Sequence, residues 1–216
     1  MRHCTETSPI RERIAAAALL AVLLMPLCAF GQTQTGPPSE KLALLLKNGT
    51  AYLRKQQNPN GSFGRVQPHL QTSFVMLALM SRSARLSSED VAIVRKAAAY
   101  LVADSSARGD LGDEAFNTES HAIASVALLY ALAHISDPEQ RAEAAKRLYR
   151  AFRHTQRIQD RSSMPPSRGG WKMEGSKGRL NDRRASAWAL LSYFAGRQYG
   201  IEVEDSKVER GLRFMI

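Results

Sequence analysis

The stretch YLRKQQNPNGSFG, residues 52–64, closes one helix-like segment and leads eight residues later into TSFVMLALM, residues 72–80. The first segment alternates apolar and charged faces at helical spacing, the pattern of a helix wet on one side. The second is apolar nearly all round, the pattern of a helix buried in a core. Between them Asn58, Pro59, Asn60 and Gly61 make a turn signal.

The same pairing returns along the chain. LLLKNGTAYLRKQQ, VRKAAAYLVADSS and AKRLYRAFRHTQ are striped, whereas TSFVMLALM, HAIASVALLYALA and SAWALLSYFAG are apolar and rich in small residues. Tyr52, Tyr100, Phe152 and Phe214 hold equivalent places in successive striped segments, 48, 52 and 62 residues apart. Thr72, His121 and Ser186 open the apolar segments at intervals of 49 and 65. A period near fifty with one helix pair per unit is the signature of stacked hairpins, since one pair cannot cover its own apolar face.

Helices are expected over residues 39–57, 71–86, 87–106, 117–135, 137–159 and 183–200. Ser39 with Glu40, Ser87 or Ser88 with Asp90, Asn117 with Glu119, and Asp137 before Pro138 supply start signals. No strand-like alternation competes with them. The fold is therefore all-α, and the apolar helices are expected to be buried throughout.

The opening stretch then reads as a clasp. Gln56 follows Tyr52 by four residues and Gln156 follows Phe152 by four; Phe63 and Trp171 come after the glycines. A glutamine at a helix end can bond exposed carbonyls, glycine allows positive φ, and the aromatic folds back between units.

Residues 1–31 stand apart. Arg2, Arg11 and Arg13 precede the 17-residue apolar run IAAAALLAVLLMPLCAF, and Ala29-Phe30-Gly31 offers a cleavage site, so this segment reads as an export signal cut near Gly31. The rival reading, an uncleaved anchor, would tie the chain to a membrane through that segment alone. Both cysteines, Cys4 and Cys28, lie inside it, so the exported part would have neither disulfide nor thiolate. Residues 32–38 are a Pro/Gly linker and 39–216 the helical domain. The formal charge of +10 becomes +9 once the three basic and two acidic residues of the signal are removed. Those charges are spread along the chain, and RLYRAFRHTQRIQDR mixes them with apolar and acidic residues, so a solvated surface is expected and nucleic acid is not.

YLRKQQNPNGSFG before TSFVMLALM, and GGW before NDRRASAWALLSYFAG, resemble the Gln-to-aromatic repeats of squalene and terpenoid cyclases and of protein prenyltransferase β subunits, the α/α toroid superfamily. The resemblance covers residues 39–216 and implies a partial toroid of about three helical hairpins plus a final outer helix, ERGLRFMI. Members with the full ring have more hairpins, so either two copies close one ring as a homodimer or further repeats are encoded elsewhere.

The chemistry of those families is not matched. Cyclases use an aspartate cluster leading into a buried helix; only Glu119 and Asp182 stand at such places here, in different units, with Arg183 and Arg184 alongside. Prenyltransferases hold zinc with a cysteine, which the exported part lacks, and a zinc set drawn from His69, His121 and Glu119 has no local spacing behind it. Asp113, Glu114 and Glu174 could join Glu119 and Asp182 in hydrolysing a glycan, but the spacing fixes no carboxylate pair. No catalytic residue, metal or cofactor is expected. Glu119, His121, Asp182, Trp171 and Phe63 are the candidate ligand-facing residues, for an apolar or glycan ligand. The alternative is a fragment of an exported terpenoid- or polysaccharide-active enzyme.

Overall fold

The computed structural model describes residues 40–81, 86–112, 118–159, 168–172 and 181–216. The expected signal segment and linker lie outside the described residues. Among those described, seven α-helices follow one another: α1 Glu40–Lys55, α2 Pro68–Ser81, α3 Ser88–Ala103, α4 Thr118–Ala131, α5 Pro138–Ile158, α6 Arg183–Gln198 and α7 Asp205–Met215. A 3-10 turn, Leu132–His134, extends α4, and two isolated bridges, Gln57 with Phe63 and Trp171 with Asp182, are the only strand-like pairings among the described residues. The protein is all-α.

The chain divides into residues 1–48 and 49–216. The described part of the first unit, residues 40–48, is the opening of α1.

In the second unit α4 is the centre. Thirteen of its fourteen residues are buried, with only Tyr130 reaching the surface. It packs against both α2 and α6, while α3 and α5 pack on each other and on α4, and α7 lies on α6. Two rows result, α2–α4–α6 and α3–α5. Ala122, Ala124, Ala127 and Ala131 let neighbouring helices approach α4 closely, and their burial removes apolar area from water at about 25 cal/mol per Å². The serines of this row bond their own helix: Ser73 to His69 O at 2.7 Å, Ser125 to His121 O at 2.8 Å and Ser192 to Ala189 O at 2.7 Å. Each buried hydroxyl is thereby satisfied without an outside partner.

The expectation of full burial holds for α4 and not for its neighbours. Gln71, Phe74, Ala78 and Ser81 form an exposed stripe on α2, and Ala187, Trp188, Leu191 and Phe194 are half-buried on α6. The physical reason is position: α4 lies between α2 and α6 and also packs on α3 and α5, whereas among the described residues α2 and α6 each have fewer helices against them.

Several helix starts follow the expected chemistry. Ser87 caps α3 by accepting from Asp90 N at 3.1 Å, Asp137 caps α5 ahead of Pro138, and Asp182 caps α6 by accepting from Ala185 N at 2.8 Å. Asp90 is fully buried and also receives both ends of the Arg54 guanidinium, each at 2.9 Å, which ties α1 to α3 within the second unit.

The repeat is visible as three equivalent junctions. Gly61, Gly109 and Gly169 adopt φ of 96°, 91° and 90°, and a Cβ on any of them would collide with the carbonyl of Lys96, Arg150 or Arg210 on the next helix of the other row. Two residues on, the backbone N–H of Phe63 donates to Thr72 Oγ1 at 2.8 Å, that of Leu111 to His121 Nδ1 at 3.1 Å, and that of Trp171 to Ser186 Oγ at 2.9 Å.

The glutamine of the clasp is a different one from that expected. Gln57, not Gln56, donates through Nε2 to Gly61 O and Ile93 O, both at 3.0 Å, and Gln159, not Gln156, donates to Gly169 O and Lys207 O, both at 2.8 Å. Gln56 is exposed, and Gln156 reaches Glu202 O at 3.4 Å. The spacing of the clasp glutamine is not constant: Gln57 follows Tyr52 by five residues and precedes Gly61 by four, whereas Gln159 follows Phe152 by seven and precedes Gly169 by ten. In the middle junction Ser105 takes the place of Gln57, and its hydroxyl turns back to Val102 O at 2.7 Å.

Candidate functional site

Phe63 and Trp171, expected to face a ligand, are wedges. Both are buried, Trp171 completely. The indole Nε1 of Trp171 donates to Thr155 O at 3.0 Å, and its ring meets Tyr193 edge-on at 5.5 Å. Neither ring offers a face on which a sugar could stack. Burial also pushes the Tyr193 hydroxyl above the ordinary phenol pKa.

His121 is likewise inside. Its Nδ1 accepts from Leu111 N, so the ring proton sits on Nε2, which lies 3.0 Å from Thr155 Oγ1 and 3.2 Å from Ala151 O. The His154 ring crosses it edge-on at 5.1 Å. Asp110 Oδ1 is 3.5 Å from Nδ1, beyond hydrogen-bond reach, and is held instead by Gly112 N at 2.8 Å. Burial alone would raise the Asp110 carboxyl; the His121 ring and the Gly112 N–H outweigh it and hold its pKa below the usual value. Burial first, then the neighbouring His121 and Arg157, drive the His154 pKa down to about 4. His121 thus does in the middle unit what Thr72 and Ser186 do in the outer ones.

Glu119 and Asp182 are also occupied. Glu119 pairs with Arg184 at 2.8 Å between the first turns of α4 and α6, and Asp182 caps α6 while its N–H bonds Trp171 O at 2.8 Å. The set His69, His121 and Glu119 does not assemble, for His69 Nε2 goes to Asp104 at 2.9 Å. Among the described residues no three His, Cys, Asp or Glu side chains are grouped as metal ligands. Asp113, Glu114, Phe116 and Glu174 lie outside the described residues.

The partly open sides of α2 and α6 carry a pair that the sequence reading passed over. Phe74 of α2 and Trp188 of α6 meet edge-on, centroids 6.2 Å apart at 75°, and Phe74 is 45% exposed. Each lies two residues after its junction residue, Thr72 or Ser186, and Ile123 holds the same place after His121. Counting from the junction residue would have found them; read as parts of apolar runs, they looked like ordinary core.

No family model, curated protein or solved structure matches the chain. Among the described residues no helix is long and apolar enough to cross a membrane.

Proposed function

We propose that this is an exported helical-repeat protein of the type found in squalene cyclases and protein prenyltransferase β subunits, without catalytic chemistry of its own, which takes an apolar ligand on the partly open sides of α2 and α6. The Phe74–Trp188 pair carries this reading, because two aromatic side chains at equivalent repeat places meet on a face that is left partly open to water. The groups that could do acid–base work support it from the other side: Glu119, His121 and Asp182 are each spent on an ion pair, a junction or a helix cap. A glycan ligand loses its support with the burial of Phe63 and Trp171.

Titration of the full chain with farnesol and with dodecanol, followed by tryptophan emission, tests the reading. A saturable change is expected, weakened about tenfold by Phe74→Ala, the loss of one aromatic contact worth roughly 1.5 kcal/mol. Emission that does not respond to either alcohol would sink it.

Self-association is a second reading. Leu44 and Leu45, both in residues 1–48, are 55% and 60% exposed on α1, large apolar side chains of the kind that contacts between copies cover. Light scattering behind a sizing column separates the two, since only this reading requires a discrete dimer.

A further inference from the structure

Arg150, Arg153 and Arg157 follow one another on α5 at helical spacing and so share one face. Arg108, in the turn that precedes Gly109, comes up against the same face. Together with Ala107 the four arginines line a cleft of about 400 Å³, and among the described residues no carboxylate lines it. The turn is fixed there by the Gly109 contact with the Arg150 carbonyl. Arg157 is oriented further, donating to Arg108 O and, at 3.4 Å, to His154 Nδ1.

Arg54, Arg147, Arg184, Arg197 and Arg213 each stand against a carboxylate, whereas none of the cleft arginines forms an ion pair with a described residue. Bringing four like charges together is unfavourable unless an anion joins them. Nor does the junction require them. The first unit builds the same turn on the same helix contact with Asn60, Lys96, Ala99 and Ala103 where the middle unit has Arg108, Arg150, Arg153 and Arg157.

We infer that this cleft is a binding site for a small, multiply charged phosphate-bearing molecule. The guanidinium fork matches the oxygens of a tetrahedral oxyanion, and several forks converging on one place select for more than one negative charge. Arg108, Arg153 and Arg157 are exposed and Arg150 half-buried, so a ligand can reach all four from solvent.

Calorimetric titration of the full chain with inorganic pyrophosphate at low ionic strength is the test. Saturable binding is expected, tighter than that of inorganic phosphate and weakening as salt is added. Arg153 makes no hydrogen bond within the described residues, so Arg153→Gln removes a charge without removing a contact; it is expected to weaken pyrophosphate about tenfold, as one lost charge-assisted contact would. Arg153→Lys should lose less, and Arg141→Gln, exposed on the same helix and outside the cleft, should change nothing. Absence of pyrophosphate binding, or binding indifferent to Arg153→Gln in a variant whose helical spectrum is intact, would overturn the assignment. So would binding confined to heparin or to phosphatidylglycerol vesicles, which would make the arginines a surface for large polyanions.

Discussion

The backbone N–H of Leu111 donates to Nδ1 of His121, and the same ring holds Thr155 Oγ1 from its other nitrogen, so one side chain joins the turn after α3 to α4 and α5. His121→Ala should therefore leave a buried N–H without its acceptor and open a cavity in the most buried helix. A loss of about 3 kcal/mol is expected, read as a fall in the denaturant midpoint with helical content retained in water. Under the competing view that His121 serves chemistry, stability would be left almost unchanged.

Glycine replacements should sort by junction. Gly109→Ala meets both a left-handed backbone and the Arg150 carbonyl, and is expected to cost about 2–4 kcal/mol. Gly49→Ala, within α1 and with open space around its Cβ, should instead stabilise by about 0.5–1 kcal/mol. Chemical denaturation of the two variants would show shifts of opposite sign; shifts of the same sign would contradict the junction geometry.

Stability should fall between pH 6.5 and about 4 through His154. Its pKa is depressed from 6.5 to about 4 by burial first and then by the neighbouring His121 and Arg157, against the opposing pull of Asp110. The unfolded chain thus binds the proton first, and the contribution is complete above pH 6.5 and lost as pH falls toward 4. Allowing for partial screening by water, it amounts to on the order of 2 kcal/mol. Denaturation of His154→Leu across that range should show a flatter pH dependence than the parent; an identical slope would remove His154 as the cause.

The two tryptophans should answer a quencher differently. Trp171 is fully buried and Trp188 is half-buried, so acrylamide is expected to quench one population of the emission and leave the other. Trp188→Phe should abolish the accessible fraction. Emission that acrylamide leaves unquenched throughout would mean that Trp188 is more closed off than described.

The sequence made the alternation of striped and apolar helices legible because burial on one side and burial on all sides leave different residue patterns. It also marked Thr72, His121 and Ser186 as equivalent, since a polar residue opening each apolar run is easy to align. The clasp glutamine was misplaced, by one residue at Gln57 and by three at Gln159, because the number of residues between the helix aromatic and the turn differs from one junction to the next. The exposed faces of α2 and α6 were hidden for a different reason. Composition reports how apolar a helix is, not how many other helices cover it. The arginine cleft was hidden by distance along the chain: Arg108 stands 42 residues before Arg150, and only the folded turn brings them together.

The middle junction differs from its neighbours in one residue with mechanical meaning. Gln57 and Gln159 each bridge a turn to the next helix of the other row, while Ser105 is too short to do so and bonds its own helix. At the seam beside Ser105 the turn is held instead by Arg157 of α5, which donates to Arg108 O, and by the His121 ring. The arginine cleft straddles that same seam, one wall on the turn and three on α5, so an anion held there would act as a removable bolt across it.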